Sequence, residues 1–390
     1  MGNEHKIDLS LRKFVAPEFV FGIGARNLVG RYAKNFGSRK VLVVTDPGVM
    51  AAGWTQEVIA NLEAEGLSHI LFSDVSPNPR AEEVMSGADV YQSHACDAIV
   101  AVGGGSPLDC AKGIGIVSSN RKHILTFEGV DQVEVPMPPL ICIPTTGGTS
   151  AVVSQFAIIS NRQERVKIAI ISKATVPDLA LIDPVTLTTM DPYLTACTGM
   201  DALVHAIEAF VSNASSHFTD LYALEAIRWI SSALLPSIKN PDDINQRGKV
   251  MLGSLKAGLA FSNASLGAVH AMAHSLGGYL DLPHGECNAM LLRHVIDFNF
   301  DVTSERYVQI GNAMGIDLRG QTQAQQKNSI LSEVQRLSIS AGIQTTLEQR
   351  GVHLTDIPPL AQKALKDPCM VTNPRRPNQR DIEAIYEEAL

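Results

Sequence analysis

Short apolar runs alternate with helical patterns in the first half of the chain, and this alternation constrains the fold more than any other feature. Four apolar runs have the length of a strand, at residues 40–45, 69–72, 98–102 and 140–143. Continuous runs of this kind are typical of strands buried on both faces. Residues 54–65, between the first two runs, place Val58, Ile59 and Leu62 on one helical face. This alternation of strands and helices predicts a parallel sheet with helices on both sides.

Beyond about residue 191 the strand signal fades, and a boundary is plausible near the sequence IDPV at 182–185. Helical patterns then follow at residues 202–211, 223–235, 248–261, 268–279 and 328–341. We therefore predict an α/β domain at 1–190 and an all-α domain at 191–390. A cleft between two such domains is the usual place for a ligand site.

Composition excludes several classes of protein. The chain has 390 residues, 45% of them hydrophobic and 18% charged, which is typical of a globular protein. The net charge of −8 disfavours nucleic acid as a partner, and six scattered cysteines without a CxxC pair disfavour disulfides or a Cys-rich zinc site. A charged N-terminal segment without an apolar core, and no uncharged apolar stretch long enough to span a bilayer, exclude a signal peptide and a membrane span. We expect a cytoplasmic protein.

A glycine-rich loop follows the third apolar run. Residues 103–109 read GGGSPLD, with Ser106 as the expected N-cap, Pro107 at the first helical position and Asp109 at the third. Glycines allow backbone N–H groups to approach a ligand, and a helix N-terminus favours a phosphate. Because Leu108 stands where a Rossmann fingerprint has its last glycine, a dinucleotide would bind in a variant arrangement. A tight strand-to-helix turn is the alternative interpretation.

Three further sites are candidates for cofactor contacts. The loop PTTGGTS at 144–150 follows an apolar strand and offers hydroxyls and glycines to a phosphate or ribose, although a plain polar loop explains it equally well. Asp46 lies at the end of the strand 40–45 and is the candidate acid for a ribose. Asn78, in SPNPR, carries a weaker signal.

Aspartate and histidine form the sharpest chemical signal, because two pairs lie four residues apart and project from one face of each predicted helix. The five candidate ligands are Asp201 with His205, His270 with His274, and His284. One carboxylate and several imidazoles without a thiolate suit Fe²⁺, Zn²⁺ or a similar ion with an open position. The alternative is a set of core histidines. His217 and His294 have weaker claims and are better interpreted as structural or surface residues.

A dinucleotide facing an open divalent metal site indicates hydride transfer. The metal would act as a Lewis acid on an alcohol or carbonyl oxygen, and the nicotinamide would exchange the hydride. Spacing alone leaves open which of the five candidates bind the metal.

Five motifs then resemble one known family, the iron-containing (group III) alcohol dehydrogenases. The motifs lie at 103–115 (GGGSPLDCAKGIG), 143–146 (IPTT), 198–210 (TGMDALVHAIEAF), 257–292 (AGLAFSNASLGAVHAMAHSLGGYLDLPHGECNAMLL) and 372–375 (TNPR). The resemblance implies an N-terminal nucleotide-binding α/β domain and a C-terminal all-α domain for metal and substrate, the architecture shared with dehydroquinate synthase.

The resemblance also assigns roles to residues. It implies metal ligands at Asp201, His205, His270 and His284, and it makes His274 a non-ligand histidine beside the nicotinamide that relays a proton or orients the substrate. Positions similar to the family's cofactor contacts are Asp46, Asn78, Gly104, Gly105, Ser106, Asp109, Thr145, Thr146, Thr149 and Lys167. An acid at Asp46 should repel a 2′-phosphate, which favours NAD over NADP.

The chain departs from the family pattern at three places. Residues 150–152 read Ser-Ala-Val where a glutamate is usual at the third position, and Ser275 and Arg293 replace prolines. If Arg293 reaches the pocket it would favour an anionic aldehyde; the alternative is a surface arginine. Cys369 either lines the pocket or is a buried, inert thiol.

We therefore expect an NAD(H)-dependent alcohol dehydrogenase or aldehyde reductase that uses Fe²⁺, with Zn²⁺ possible, on a small primary alcohol or aldehyde. The alternatives are a polyol dehydrogenase of the glycerol type, a dehydroquinate synthase-like activity, and a low-turnover sensor that keeps both sites. The segment at 14–25 predicts an edge β-hairpin that pairs two subunits; the alternative is a hairpin that caps its own domain. We expect a homodimer or a multiple of one.

Overall fold

A six-stranded, all-parallel sheet organises the first half of the computed structural model, which describes residues 11–390. The N-terminal segment from which the absence of a signal peptide was predicted lies mostly outside the described residues. The strands are β1 (Glu18–Phe21), β2 (Lys40–Val44), β3 (Ser68–Phe72), β4 (Ala98–Gly103), β5 (Gly129–Val130), β6 (Leu140–Pro144), β7 (Phe156–Asn161), β8 (Val166–Ile171) and β9 (Leu179–Ile182). The sheet has the order β1-β9-β6-β4-β2-β3. The predicted parallel sheet is confirmed.

Helices cover both faces of this sheet, as the continuous apolar runs predict. Alternate residues of β2 enter different cores: Val41 and Val43 pack on one side, and Leu42 and Val44 on the other. The helices of this half are α1 (Val29–Asn35), α2 (Pro47–Ala51), α3 (Trp54–Ala64), α4 (Ala81–Ser93) and α5 (Gly105–Asn120). The carboxyl ends of β2, β4 and β6 therefore open at one edge of the sheet, the usual location of a ligand in such folds.

A second, three-stranded sheet with the order β5-β8-β7 was not predicted from the sequence. Its strands β7 and β8 form an antiparallel hairpin, with Phe156 opposite Ile171 and Asn161 opposite Val166. The hairpin packs through β8 against a helix of the second half. It therefore reaches across the cleft between the two halves.

The N-terminal hairpin prediction at 14–25 is wrong. β1 pairs in parallel with β9, Glu18 opposite Leu179, and forms an edge of the large sheet. After β1 the chain turns through Gly24, whose φ is +88°, into a short 3-10 helix at Ala25–Leu28. The chain therefore continues around the sheet instead of folding back on the strand.

The second half is helical, which confirms the predicted fold class. Its helices are α6 (Pro192–Val211), α7 (His217–Lys239), α8 (Ile244–Ala264), α9 (Ala268–Leu280), α10 (His284–Asn299), α11 (Ser304–Ala313), α12 (Gln323–Ser340), α13 (Ile357–Ala364) and α14 (Gln379–Ala389). Helix α6 is long and apolar enough to cross a membrane by length and composition, but 89% of its most apolar window is buried inside the protein. It is the central helix of this half and packs against α7, α8 and α10.

Candidate metal centre and cofactor cleft

An open cleft of about 680 Å³ lies between the two halves, and both contribute to its lining. The glycine loop, the loop at 144–150 and the β7–β8 hairpin line one side. Helices α6, α9 and α10 line the other. Six of the ten predicted cofactor residues reach the cleft, namely Asn78, Gly105, Ser106, Asp109, Thr149 and Lys167.

Three helices bring the predicted metal ligands together. Helix α6 carries Asp201 and His205 one turn apart, and α9 carries His270. Helix α10 begins at His284, next to Gly285, where a Cβ atom would lie only 2.5 Å from the carbonyl oxygen of Cys197 on α6. The absence of a side chain at Gly285 therefore allows α10 to start directly against α6, close to the carboxylate of Asp201.

The ligand atoms converge on one point. One atom each from Asp201, His270 and His284 lies within 4.8 Å of the other two, and Asp201 Oδ1 is 3.7 Å from the Nε2 atom of each histidine. His205 stands at the margin of this group, with Nδ1 3.9 Å from Asp201 Oδ2 and its ring stacked on Phe261 at 4.4 Å. The structure thus places three predicted ligands in a tight cluster and the fourth beside it.

These residues fit a divalent cation. Two ligands about 2.1 Å from one ion lie roughly 3.4 Å apart in tetrahedral geometry, close to the observed 3.7 Å. The Nδ1 atoms of His205 and His284 are buried without a hydrogen-bond partner among the described residues. Burial lowers the pKa of His205 to about 3 and that of His284 well below 6.5. Burial alone would raise the pKa of Asp201, but the adjacent histidines hold it far below its usual range. Burial would lower the pKa of His270, but its hydrogen bonds to Asp201 and Glu208 raise it to about 9, so a bound metal would displace a proton from that ring.

Glu208 is a functional candidate that the sequence interpretation missed. Its Oε2 atom lies 2.6 Å from Nδ1 of His270, and its Oε1 atom accepts the backbone N–H of Val269 at 2.7 Å. A carboxylate at Nδ1 fixes the tautomer that leaves Nε2 free for a metal. The signal was present, since Asp201, His205 and Glu208 follow the i, i+4, i+7 spacing of one helical face.

His274 has a different partner from the other site histidines. Its Nδ1 atom lies 2.8 Å from Oδ2 of Asp367, a residue 93 positions away that the sequence did not single out. Burial would raise the pKa of Asp367, but His274 holds it below its ordinary value. The ring of His274 also stacks on that of His284, with centroids 5.3 Å apart. With Nδ1 engaged, Nε2 is the ring nitrogen that His274 can offer to the cleft it lines.

The glycine loop begins its helix earlier than predicted. Gly104, not Ser106, is the N-cap of α5, and no side chain caps this helix. A Cβ atom on Gly105 would lie 2.7 Å from the side chain of Thr149, so only glycine lets the two loops pack this closely. Asp109 does not complete a capping box. It is buried, accepts the N–H of Ile158 at 3.3 Å, and burial raises its pKa to about 6.

Asn78 and Lys167 meet across the cleft, although they are 89 positions apart. Lys167 Nζ donates to Asn78 Oδ1 at 2.7 Å, and Asn78 Nδ2 donates to Oδ1 of Asp281, at the end of α9, at 2.7 Å. Burial lowers the pKa of Lys167. These two hydrogen bonds join the loop after β3, the β7–β8 hairpin and the helical half at the rim of the cleft.

The remaining predicted cofactor residues lie at the strand ends behind the lining. Asp46 follows β2 and caps α2, with Oδ1 accepting the N–H of Val49 at 2.9 Å. The N–H of Thr145 donates to the carbonyl of Gly103 at 2.9 Å. The side chain of Thr146 packs against Gly104. All four predicted positions thus belong to the same carboxyl edge of the sheet.

The departures from the family pattern lie mostly outside the cleft. Arg293 and Cys369 are not among its lining residues, and burial raises the pKa of the Cys369 thiol well above its ordinary value. The inert interpretation of Cys369 is thus favoured, and Arg293 gives no support for an anionic substrate. Val152 lines a separate small cavity, and Ser275 Oγ donates to the carbonyl of Leu360 at 2.8 Å.

Two other sets of predictions concern residues outside the site. His217 begins α7, and His294 lies 3.5 Å from Glu388. Neither histidine lines the cleft, in agreement with their assignment as structural or surface residues. All six cysteines are free and buried, as expected for a chain without a disulfide scaffold.

Two family profiles, several known proteins and a solved structure match the chain. A family profile described as iron-containing alcohol dehydrogenase matches residues 16–184, and one for the C-terminal part of the Fe-containing alcohol dehydrogenase family matches residues 195–390. The chain is 38% identical to 1,3-propanediol dehydrogenase of Citrobacter freundii, over 95% of this chain and 96% of that protein. It is 36% identical to NAD-dependent methanol dehydrogenase of Bacillus methanolicus, over 97% and 99%. The crystal structure of a 1,3-propanediol oxidoreductase superposes with a TM-score of 0.95 at 37% identity, over 98% and 100%.

Proposed function

The chain belongs to the iron-containing alcohol dehydrogenase family, and from this premise we propose that it interconverts a small primary alcohol and its aldehyde with NAD(H) and one divalent ion. It is an NAD-dependent oxidoreductase, and Fe²⁺ is the proposed ion, with Zn²⁺ compatible with the same ligands. The observation that carries the substrate proposal is the convergence of Asp201, His270 and His284 on a cleft that the glycine loop also lines.

Each side of the cleft has a distinct task in this reaction. Asp201, His205, His270 and His284 would hold the ion. The ion supplies polarisation of the substrate oxygen, and the nicotinamide supplies or accepts the hydride. The N–H groups at the start of α5 would hold the pyrophosphate, because a helix N-terminus favours an anion. His274, oriented by Asp367, holds or accepts the proton of the substrate oxygen at Nε2.

The lining next to the ligands favours a monohydric substrate. Phe156 and Phe261 pack edge to face with centroids 5.7 Å apart, and Leu266 lies beside them in the cleft. A second substrate hydroxyl placed against this apolar patch would lose its hydrogen bonds to water, at a cost of about 1–3 kcal/mol.

The proposal is tested with a panel of short aliphatic, hydroxylated and anionic aldehydes, assayed anaerobically as NADH oxidation by Fe²⁺-reconstituted protein. We expect the highest kcat/KM for unbranched aliphatic aldehydes. Higher efficiency with glyceraldehyde, or with glycerol in the oxidative direction, would favour the polyol dehydrogenase. Full metal and tight NADH binding without turnover of any aldehyde would favour the low-turnover sensor.

Asp46 sets the expected preference for NADH. Asp46→Ser removes a negative charge but keeps a residue that can cap α2, so we expect the ratio of kcat/KM for NADH over NADPH to fall at least about tenfold. Asp191→Ser is the matched control, because Asp191 caps α6 in the same way. An unchanged ratio in Asp46→Ser would show that another residue selects the cofactor.

The oligomer and the compartment complete the proposal. We propose a cytoplasmic homodimer, or a multiple of one, that pairs along β1. This strand is at the edge of the sheet, and its Phe19 and Phe21 side chains are about two-fifths exposed. Light scattering at micromolar concentration should give at least twice the mass of one chain, and a monomer would contradict the proposal.

A further inference from the structure

The turn of the β7–β8 hairpin, at 162–165, is fastened to the helical half. Arg165, the last residue of the turn, donates from Nη2 to the carbonyl oxygen of Tyr279 on α9 at 2.6 Å. Its guanidinium also lies over the Tyr279 ring, 3.9 Å from the centroid. A second cation, Lys363 of α13, donates from Nζ to the carbonyl oxygen of Glu164 at 2.8 Å. Two helices of the second half therefore hold a turn that belongs to the first.

Two glycines bring α9 into direct contact with the strand that follows this turn. A Cβ atom on Gly278 would lie 2.7 Å from the backbone nitrogen of Lys167, and one on Gly277 would lie 2.7 Å from the Nζ atom of the same lysine. A side chain at Gly278 would force the helix and the strand apart, because backbone atoms cannot move aside as the end of a flexible side chain can. The last turn of α9 therefore packs on the first residues of β8, next to the contact between Arg165 and Tyr279.

This packing fixes Lys167 at the rim of the cleft. Lys167 lines the cleft, and its Nζ atom donates to Oδ1 of Asn78 at 2.7 Å. Arg165 is exposed and is not among the lining residues, but only one residue separates it from Lys167 along the chain. A turn that left α9 would therefore carry Lys167 away from its place.

We propose that Arg165 is a positioning residue for the cofactor: it holds the hairpin against α9, so that Lys167 is in place before NAD(H) binds. This inference rests on the proposed function, with Lys167 as one of the cofactor contacts. Without the Arg165 contact, a fraction of the molecules would hold the hairpin away from α9, and the apparent Kd for NADH would rise accordingly. Molecules that have bound the cofactor would react as before.

The test is Arg165→Gln, which removes the guanidinium from an exposed turn and should fold like the wild type. The Kd for NADH, measured by fluorescence titration, should rise about threefold to tenfold, because one charged hydrogen bond and one cation–π contact are lost. At saturating NADH, kcat should change by less than about twofold. Amide hydrogen exchange at 162–171 should become faster in the cofactor-free protein. A contact that only stabilised the fold would lower Tm and leave the Kd unchanged.

Arg162→Gln is the matched control, because Arg162 is an exposed arginine of the same turn and takes no part in the contacts with Tyr279. It removes the same charge, and it should leave the Kd for NADH and the amide exchange unchanged. An equal rise of the Kd in both variants would overturn the positioning role.

Lys167→Gln separates this inference from its premise. If Lys167→Gln raises the Kd for NADH and Arg165→Gln does not, the positioning role of Arg165 alone is refuted. If Lys167→Gln leaves the Kd unchanged, the cofactor contact of Lys167 is refuted, and this inference with it.

Discussion

Replacement of His270 by alanine is expected to remove the bound metal and to reduce aldehyde reduction at least about a thousandfold, because a metal Lewis acid contributes several kcal/mol to such a step. The side chain is 1% exposed, and its Nε2 atom lies 3.7 Å from Asp201 Oδ1. Its loss leaves the carboxylate of Asp201 without one of the groups that stabilise its charge. Metal content by mass spectrometry and NADH oxidation should fall together.

The effect should be specific to the cluster. His294→Ala is the matched control, since His294 lies on α10 but faces Glu388 instead of the cleft. That variant should keep its metal and its turnover. A His270→Ala protein that is active and metal-free would refute the assignment of the metal centre.

Replacement of His274 by alanine is expected to separate metal binding from turnover. The bound metal should remain, and kcat should fall by about a hundredfold to ten-thousandfold, the usual contribution of a positioned acid or base. The reason is geometric: His274 Nδ1 is held by Asp367 at 2.8 Å, and neither residue belongs to the cluster of Asp201, His270 and His284.

A second variant tests the role of the partner. Asp367→Asn should retain the metal and lower kcat by less than His274→Ala, because an amide oxygen can still accept from Nδ1 but does not stabilise a charged ring. Loss of metal from His274→Ala would make His274 a ligand. An unchanged kcat would remove it from the proton path.

The large sheet could be predicted because its central strands are buried on both faces. The apolar runs at 40–45, 98–102 and 140–143 each lie within one residue of an observed strand. The hairpin of β7 and β8 was missed, although FAII at 156–159 and IAII at 168–171 are themselves apolar runs. Its strands are separated only by the turn at 162–165, a local pairing that does not follow the β-α-β rhythm.

Only the part of the site that is determined by local sequence spacing could be predicted. The i, i+4 spacing identified Asp201, His205, His270 and His274, since one helix face fixes their relative positions. Spacing could not separate His274 from the ligands, because the difference depends on Asp367, whose approach to α9 is a property of the tertiary fold.

Deuterium transfer from C4-deuterated NADH into the product alcohol should be followed anaerobically, with the protein before and after reconstitution with Fe²⁺. We expect that a short aliphatic aldehyde is reduced to an alcohol with one deuterium at C1, and that this transfer requires the metal. Equal transfer by the metal-free protein, or NADH consumption without deuterium in the alcohol, would contradict this expectation.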